Sequence, residues 1–333
     1  MYINWIHHYV PKICGILAYL VNPFFVYLIF TEKVNTFGNY RYLLLYFATF
    51  NVIYSTLDIL VPIGIQGYRY CFFLFLTDGI FVESSKLNHL MLTFRCSVVA
   101  CSYAILVSHF IYRYLIINNS VYTRKRFRCF MSFTFCLCLV YFVIWSSVVE
   151  LLVNDNKEVK MYIRNDFRQK FGVDSMGVNI IYAIYNEASP ELIVRSCTAI
   201  SFFVAISMFS IILYVVLGFK IMSVLNRVSD IGSVSKRTAK LQKQLLLTLI
   251  VQTVIPILIS FLPCLLCWFS PVFLLDMGNT INNLGSTSLA AFPFLDPVAI
   301  VICLPVLRHR LIRPRARKQN VEVQMSAASA SSL

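Results

Sequence analysis

Ionisable and amide side chains stranded inside long apolar runs are the residues of this chain most able to do chemistry. Burying such groups in hydrocarbon is costly unless they find a partner. Arg95 and Arg113 bracket one run at a separation of 18 residues. That is five helical turns, so the two share one helix face about 27 Å apart. Arg95 needs a counter-charge, and Asp58 and Glu150 stand at similar depth in neighbouring runs. This trio either borders a ligand cavity or forms a structural ion pair. Asn22, Asn51 and the pair Asp296-Pro297 lie at comparable depths in three runs. They are suited to an interhelical hydrogen-bond network, whether exchangeable or static. No phosphate loop, dinucleotide fingerprint, zinc-helix or nucleophile-elbow pattern occurs, and no His has metal or triad spacing. The sequence thus argues against an enzyme and calls for no cofactor. His109, at one end of the third run, reads as an interfacial polar residue.

The elements that must position these groups are seven apolar stretches: 14–30, 42–65, 90–111, 130–152, 193–217, 245–269 and 284–306. About 20 such residues cross a bilayer as a helix. The chain is 59% hydrophobic and 13% charged, and its mean hydropathy is +0.73. An all-α, seven-helix membrane bundle over residues 1–311 accounts for nearly all of it, with a basic, then Ala/Ser-rich, disordered tail over 312–333. The first stretch reads as a retained helix rather than a cleaved leader.

Loop charge sets the orientation, because Lys and Arg are retained on the cytoplasmic side. Loops 31–41, 112–129 and 218–244 with the tail 307–333 hold 19 Lys/Arg against 3 Asp/Glu. The N-terminus and loops 66–89, 153–192 and 270–283 hold 8 against 9. An outside N-terminus and an inside C-terminus follow. The net charge of +14 is confined to one membrane side, so anionic lipid explains it and nucleic acid is not needed. The basic side holds Tyr112, Arg113 and Tyr114 with Arg124, Lys125, Arg126, Arg128, Lys236, Arg237 and Lys240, and orientation by itself accounts for these loop charges.

The eleven cysteines fall mostly inside the runs, where thiols act as small apolar fillers. Cys264 and Cys267 have redox spacing without polar neighbours. Cys71 and Cys197 both fall near the outer face and form a possible disulfide. Pro62, Pro256, Pro263 and Pro297 interrupt runs and predict kinks, which in the sixth and seventh helices would let the inner ends swing. Loop 66–89 is aromatic-rich and too interrupted to span; loop 153–192 is the largest outer surface.

Several segments resemble the nematode serpentine chemoreceptors of the Str superfamily: 38–70 around the second run, FLTDGIF at 75–81, RCSVVACSYAIL at 95–106, HFIYRYL at 109–115 and FLDPVAIVICLPVLRHRL at 294–311. The form EKVNTFGNYRYLLLYFA at 32–48 with LTDG at 76–79 is most similar to class J. The resemblance implies a G-protein-coupled chemosensory receptor in the plasma membrane, typically of sensory cilia. Its partners would be a small odorant or secreted signal, membrane lipid, and a heterotrimeric G protein docked among Tyr112, Arg113, Tyr114, Arg124, Lys125, Arg126, Arg128, Lys236, Arg237 and Lys240. Tyr112-Arg113-Tyr114 stands where rhodopsin-like receptors carry an acid before the arginine, so a neighbouring carboxylate cannot lock Arg113. Asp296-Pro297 is similar to an NPxxY region, with Ile300 in place of its tyrosine. The competing readings are a seven-helix ligand-gated channel of inverted topology and a small-molecule transporter.

Overall fold

In the computed structural model, residues 5–32, 37–230, 236–274 and 278–312 are described. The helices are α1 (Trp5–Phe30), α2 (Tyr40–Leu60), α3 (Lys86–Ile117), α4 (Val121–Arg124), α5 (Phe127–Leu152), α6 (Lys157–Phe171), α7 (Pro190–Asp230), α8 (Lys236–Pro256), α9 (Leu262–Phe269), α10 (Gly278–Cys303) and α11 (Pro305–Ile312). Six of them, within α1, α2, α3, α5, α7 and α10, are long and apolar enough to cross a membrane. The sixth expected passage, 245–269, is instead divided. A π-helical segment, Ile257–Phe261, separates α8 from α9. Pro263 supplies the cause, since it has no N–H for the carbonyl four residues earlier, and the helix widens just ahead of it.

α3 lies at the centre of the bundle. It packs on α5 and α7, and α1 packs on α2 and α10. Large apolar side chains such as Ile16, Val143, Phe209 and Phe219 remain exposed on the outer helix faces. In water such a surface would be an aggregation liability; in a bilayer it is the lipid contact.

The expectation of an all-α chain fails at one end of the bundle. Strands β1 (Ile63–Tyr68), β2 (Cys71–Leu76) and β3 (Ile180–Ile184) form an antiparallel sheet in the order β1-β2-β3. The second helix therefore ends at Leu60 rather than Ile65, and Pro62 lies beyond it instead of kinking it. Arg69 and Tyr70 make the tight turn between Tyr68 and Cys71, with Arg69 at φ 47°. Gly64 pairs with Phe75, whose ring and the Thr77 methyl leave no room for a Cβ at that position.

Side-chain alternation gives the sheet two buried faces. Ile63, Ile65, Phe72, Ile181 and Ala183 face the bundle core. Cys71, Phe73, Phe75, Ile180, Tyr182 and Ile184 face α6, which answers with Val159, Ile163 and Phe167. A strand covered on both sides reads as an unbroken apolar run with no visible period, which is why CFFLFL looks like an aromatic loop in the sequence. α6 itself is well specified. Asn156 caps its first turn through Glu158 N, and Gly172 ends it at φ 71°. The buried Lys160 pairs with Asp155 at 2.6 Å. The longest loop is thus a helix and a strand folded over the bundle.

All eleven cysteines are free; Cys71 is fully buried and Cys197 exposed, so the disulfide between them is not formed. The tail beyond residue 312 lies outside the described residues.

Candidate functional site

Beneath the sheet lies an apolar cavity of about 80 Å³. Phe72, Ile181 and Ala183 roof it, Cys96 and Val99 of α3 line one side, and Trp145 of α5 and Phe203 of α7 another. Trp145 and Phe203 stack at 4.2 Å between centroids. The sixth passage closes the wall with Cys264, Cys267 and Trp268. A site without charge, walled by rings and thiols, suits a small neutral apolar molecule. A polar contact ties the roof to that passage: the Tyr185 hydroxyl donates to the Trp268 carbonyl at 2.7 Å.

Asp58, Arg95 and Glu150 do not line this cavity. Arg95 points from α3 toward α2, where Nη2 donates to Asp58 Oδ1 at 2.5 Å and the guanidinium lies 4.3 Å from the centroid of Tyr54. Both members are buried. Glu150 is on the other side of α3, accepting from Thr93 Oγ1 and lying 3.3 Å from His89 Nε2. The structure brings two of the three together and separates the third.

A second polar cluster joins α1, α2 and α10. Pro297 lacks an N–H, which leaves the Pro293 carbonyl without its helical donor. Asn22 Nδ2 fills that vacancy at 3.1 Å, and Asn51 Nδ2 donates to Asn22 Oδ1 at 3.3 Å. Asp296 is fully buried, yet neither of its oxygens is hydrogen-bonded among the described residues. It therefore does not join the hydrogen-bonded Asn22–Asn51 pair.

Arg113, at the opposite end of α3 from Arg95, is 2% exposed. Its guanidinium sits 3.6 Å from the centroid of Tyr40, and Nη1 donates to Gln242 Oε1 of α8 at 3.4 Å. Tyr40 also stacks on Tyr112 at 5.3 Å and shares a 2.9 Å hydrogen bond with His109 Nδ1. His109 is therefore a buried core residue, not the interfacial one expected. An aromatic ring and an amide hold the arginine, with no carboxylate paired to it among the described residues. Lys125, Arg126 and Arg128 are exposed near this end. The side chains of Arg124, Lys236, Arg237 and Lys240 lie outside the described residues.

Sequence reasoning missed the cavity walls and the Tyr40–Gln242 hold. Trp145 and Trp268 are two of only three tryptophans in the chain, a signal that was open to use. Tyr40 and Gln242 carry no such mark. At the sheet end of the bundle, Asp78 receives His8 Nδ1 at 2.9 Å and Lys12 Nζ at 3.4 Å. Partial burial would raise its carboxyl, but the Gly79 N–H, Lys12 and His8 together hold it below the usual range.

The sequence profile of the family described as "Serpentine type 7TM GPCR chemoreceptor Srj" matches residues 1–311. Serpentine receptor class J-38 of Caenorhabditis elegans is 47% identical over 92% of this chain and 93% of its own length. Serpentine receptor class r-10 of the same species is 25% identical over 91% of this chain and 89% of its own. The G-protein coupled receptor str-33, also from that species, is 23% identical over 88% and 86%. With its membrane-length helices, its roofed cavity and a match over nearly its whole length, the chain belongs to the serpentine class J family of seven-transmembrane chemoreceptors.

Proposed function

We propose that this receptor binds a small neutral odorant or secreted signal in the cavity under the sheet and transmits the event to a heterotrimeric G protein at the Arg113 end. The N-terminus and sheet lie outside the cell and the C-terminus inside, in the plasma membrane of a chemosensory cilium. The observation that carries this reading is one helical passage that touches both sites. Trp268, Cys264 and Cys267 wall the cavity, and Gln242, near the start of α8 where it runs into the same passage, holds Arg113. The 26 residues from Gln242 to Trp268 rise about 39 Å.

Between the two sites the passage is broken by the π segment and Pro263, so its halves can change their relative angle. A ligand against Trp268 bears on the outer half. Its differential affinity for a rearranged bundle shifts the population. Release of Gln242 would then leave the guanidinium held by the Tyr40 ring alone, and Lys125, Arg126 and Arg128 add positive charge around the opening. Arg113→Ala tests the coupling role. Normal surface level with lost nucleotide exchange on the G protein is expected; retained exchange removes Arg113 from the mechanism.

A further inference from the structure

A second cavity opens sideways between α7 and α8 in the half of the bundle nearest Arg113. It measures about 370 Å³ and is floored by Phe110 and Tyr214, whose rings stack at 5.5 Å. Val215 and Phe219 on one wall and Ile250 and Val254 on the other are exposed, so the cleft faces bilayer hydrocarbon. The glycine at its centre has no explanation in the protein's own packing. Gly218 lies within a 41-residue helix, where glycine is disfavoured. Among the described residues a Cβ there would meet only Phe110, at an ordinary 3.6 Å.

The cleft asks nothing polar of its occupant. Its two polar side chains are already engaged: the Tyr214 hydroxyl donates to the Tyr103 carbonyl at 3.0 Å, and Thr253 Oγ1 donates to the Leu249 carbonyl at 2.8 Å. The polar end of the occupant is suggested lower down. Lys243 is exposed on α8, seven residues before Ile250. Two helical turns place it on the same face, about 10 Å toward the membrane surface. At its other end the cleft reaches Ile257, the first residue of the π segment.

We propose that this cleft is a lipid site: one acyl chain of an anionic phospholipid fills the space left by Gly218, with its headgroup on Lys243. The lipid comes from the leaflet at the Lys243 end, and only the naming of that leaflet as cytoplasmic rests on the orientation proposed above. Seated between α7 and the π segment, the chain would set how readily the sixth passage bends.

The test uses the full-length receptor in nanodiscs of phosphatidylcholine containing phosphatidylserine with an acyl-chain diazirine, followed by mapping of photoadducts. It needs neither odorant nor G protein, so failure of the receptor reading leaves it intact. Adducts should concentrate on Val215, Phe219, Ile250 and Val254 over lipid-facing positions elsewhere, such as Ile16 and Val143. Gly218→Phe should reduce them to the level found elsewhere, and Gly218→Ala should leave them in place. Lys243→Glu, which does not depend on filling the cleft, should lower phosphatidylserine labelling at the site by at least about fivefold. Uniform adducts along all helices would mean annular lipid only and overturn the proposal. So would displacement by cholesterol, or labelling indifferent to Lys243→Glu.

Discussion

Replacing Asp58 by asparagine should cripple the bundle far more than a surface change of the same size. Arg95 and Asp58 side chains are 1% and 8% exposed, and their contact is 2.5 Å. Arg95 Nε and Nη1 have no hydrogen-bond partner among the described residues, so Asp58 and the Tyr54 face are what offset its burial. Removing one member of a buried pair strands the other charge and costs about 3–5 kcal/mol. The Tyr54 contact, worth about 2 kcal/mol when desolvated, cannot compensate for that. Against a total stability of about 5–15 kcal/mol, the variant should melt on the order of 10 °C lower. The assay is thermal denaturation of detergent-solubilised receptor carrying a fluorescent tag. The double variant Asp58→Asn/Arg95→Met should recover most of the loss, because neither charge is then left unpaired. If Asp58→Asn melts like the wild type, or the double variant is as unstable as the single, the ion-pair argument is wrong. A change in ligand response at unchanged stability would point instead to a ligand contact.

Asn22→Ala should cost about 1–3 kcal/mol by leaving the Pro293 carbonyl unpaired, and Pro297→Ala should shrink that cost by restoring a helical donor; additive melting shifts in the double variant would contradict this. Tyr40→Leu removes the ring facing Arg113, worth about 2 kcal/mol, and should raise agonist-independent nucleotide exchange up to about 30-fold; an unchanged basal rate counts against the hold. Phe167→Ala, stripping the centre of the α6–sheet contact, should cost about 3–5 kcal/mol and speed amide exchange in β2 and β3; unaltered exchange would mean that α6 is not what steadies the roof. The Asp78 carboxyl is held low when folded, so its contribution is present above about pH 4 and lost as pH falls through the folded value; a carboxyl titration seen by NMR above pH 4 would refute the contacts described for it.

The helices were legible because their apolar length is dictated by the bilayer, and the divided sixth passage was foreshadowed by Pro263. The roof was not. Strands buried on both faces lose the period-two signal, and β2 and β3 are separated by more than 100 residues that only the folded chain brings together. Arg95 required a partner, and of two acids at similar depth the direction of its side chain around α3 selects Asp58, which residue spacing alone does not settle. Asn22 was legible as a buried amide, but its role depends on the carbonyl freed by Pro297 on another helix. The apolar cavity was least legible, since its walls are ordinary membrane residues whose meaning lies in the gap between them.

The most direct test of the proposed function is nucleotide exchange on a G protein by purified receptor, with a panel of neutral aromatic and aliphatic volatiles, comparing wild type with Ala183→Trp. That substitution fills the cavity from its roof. Stimulation of the wild type that is lost in the filled variant, at equal melting temperature, is the predicted result. Equal stimulation of both would contradict a ligand site beneath the sheet.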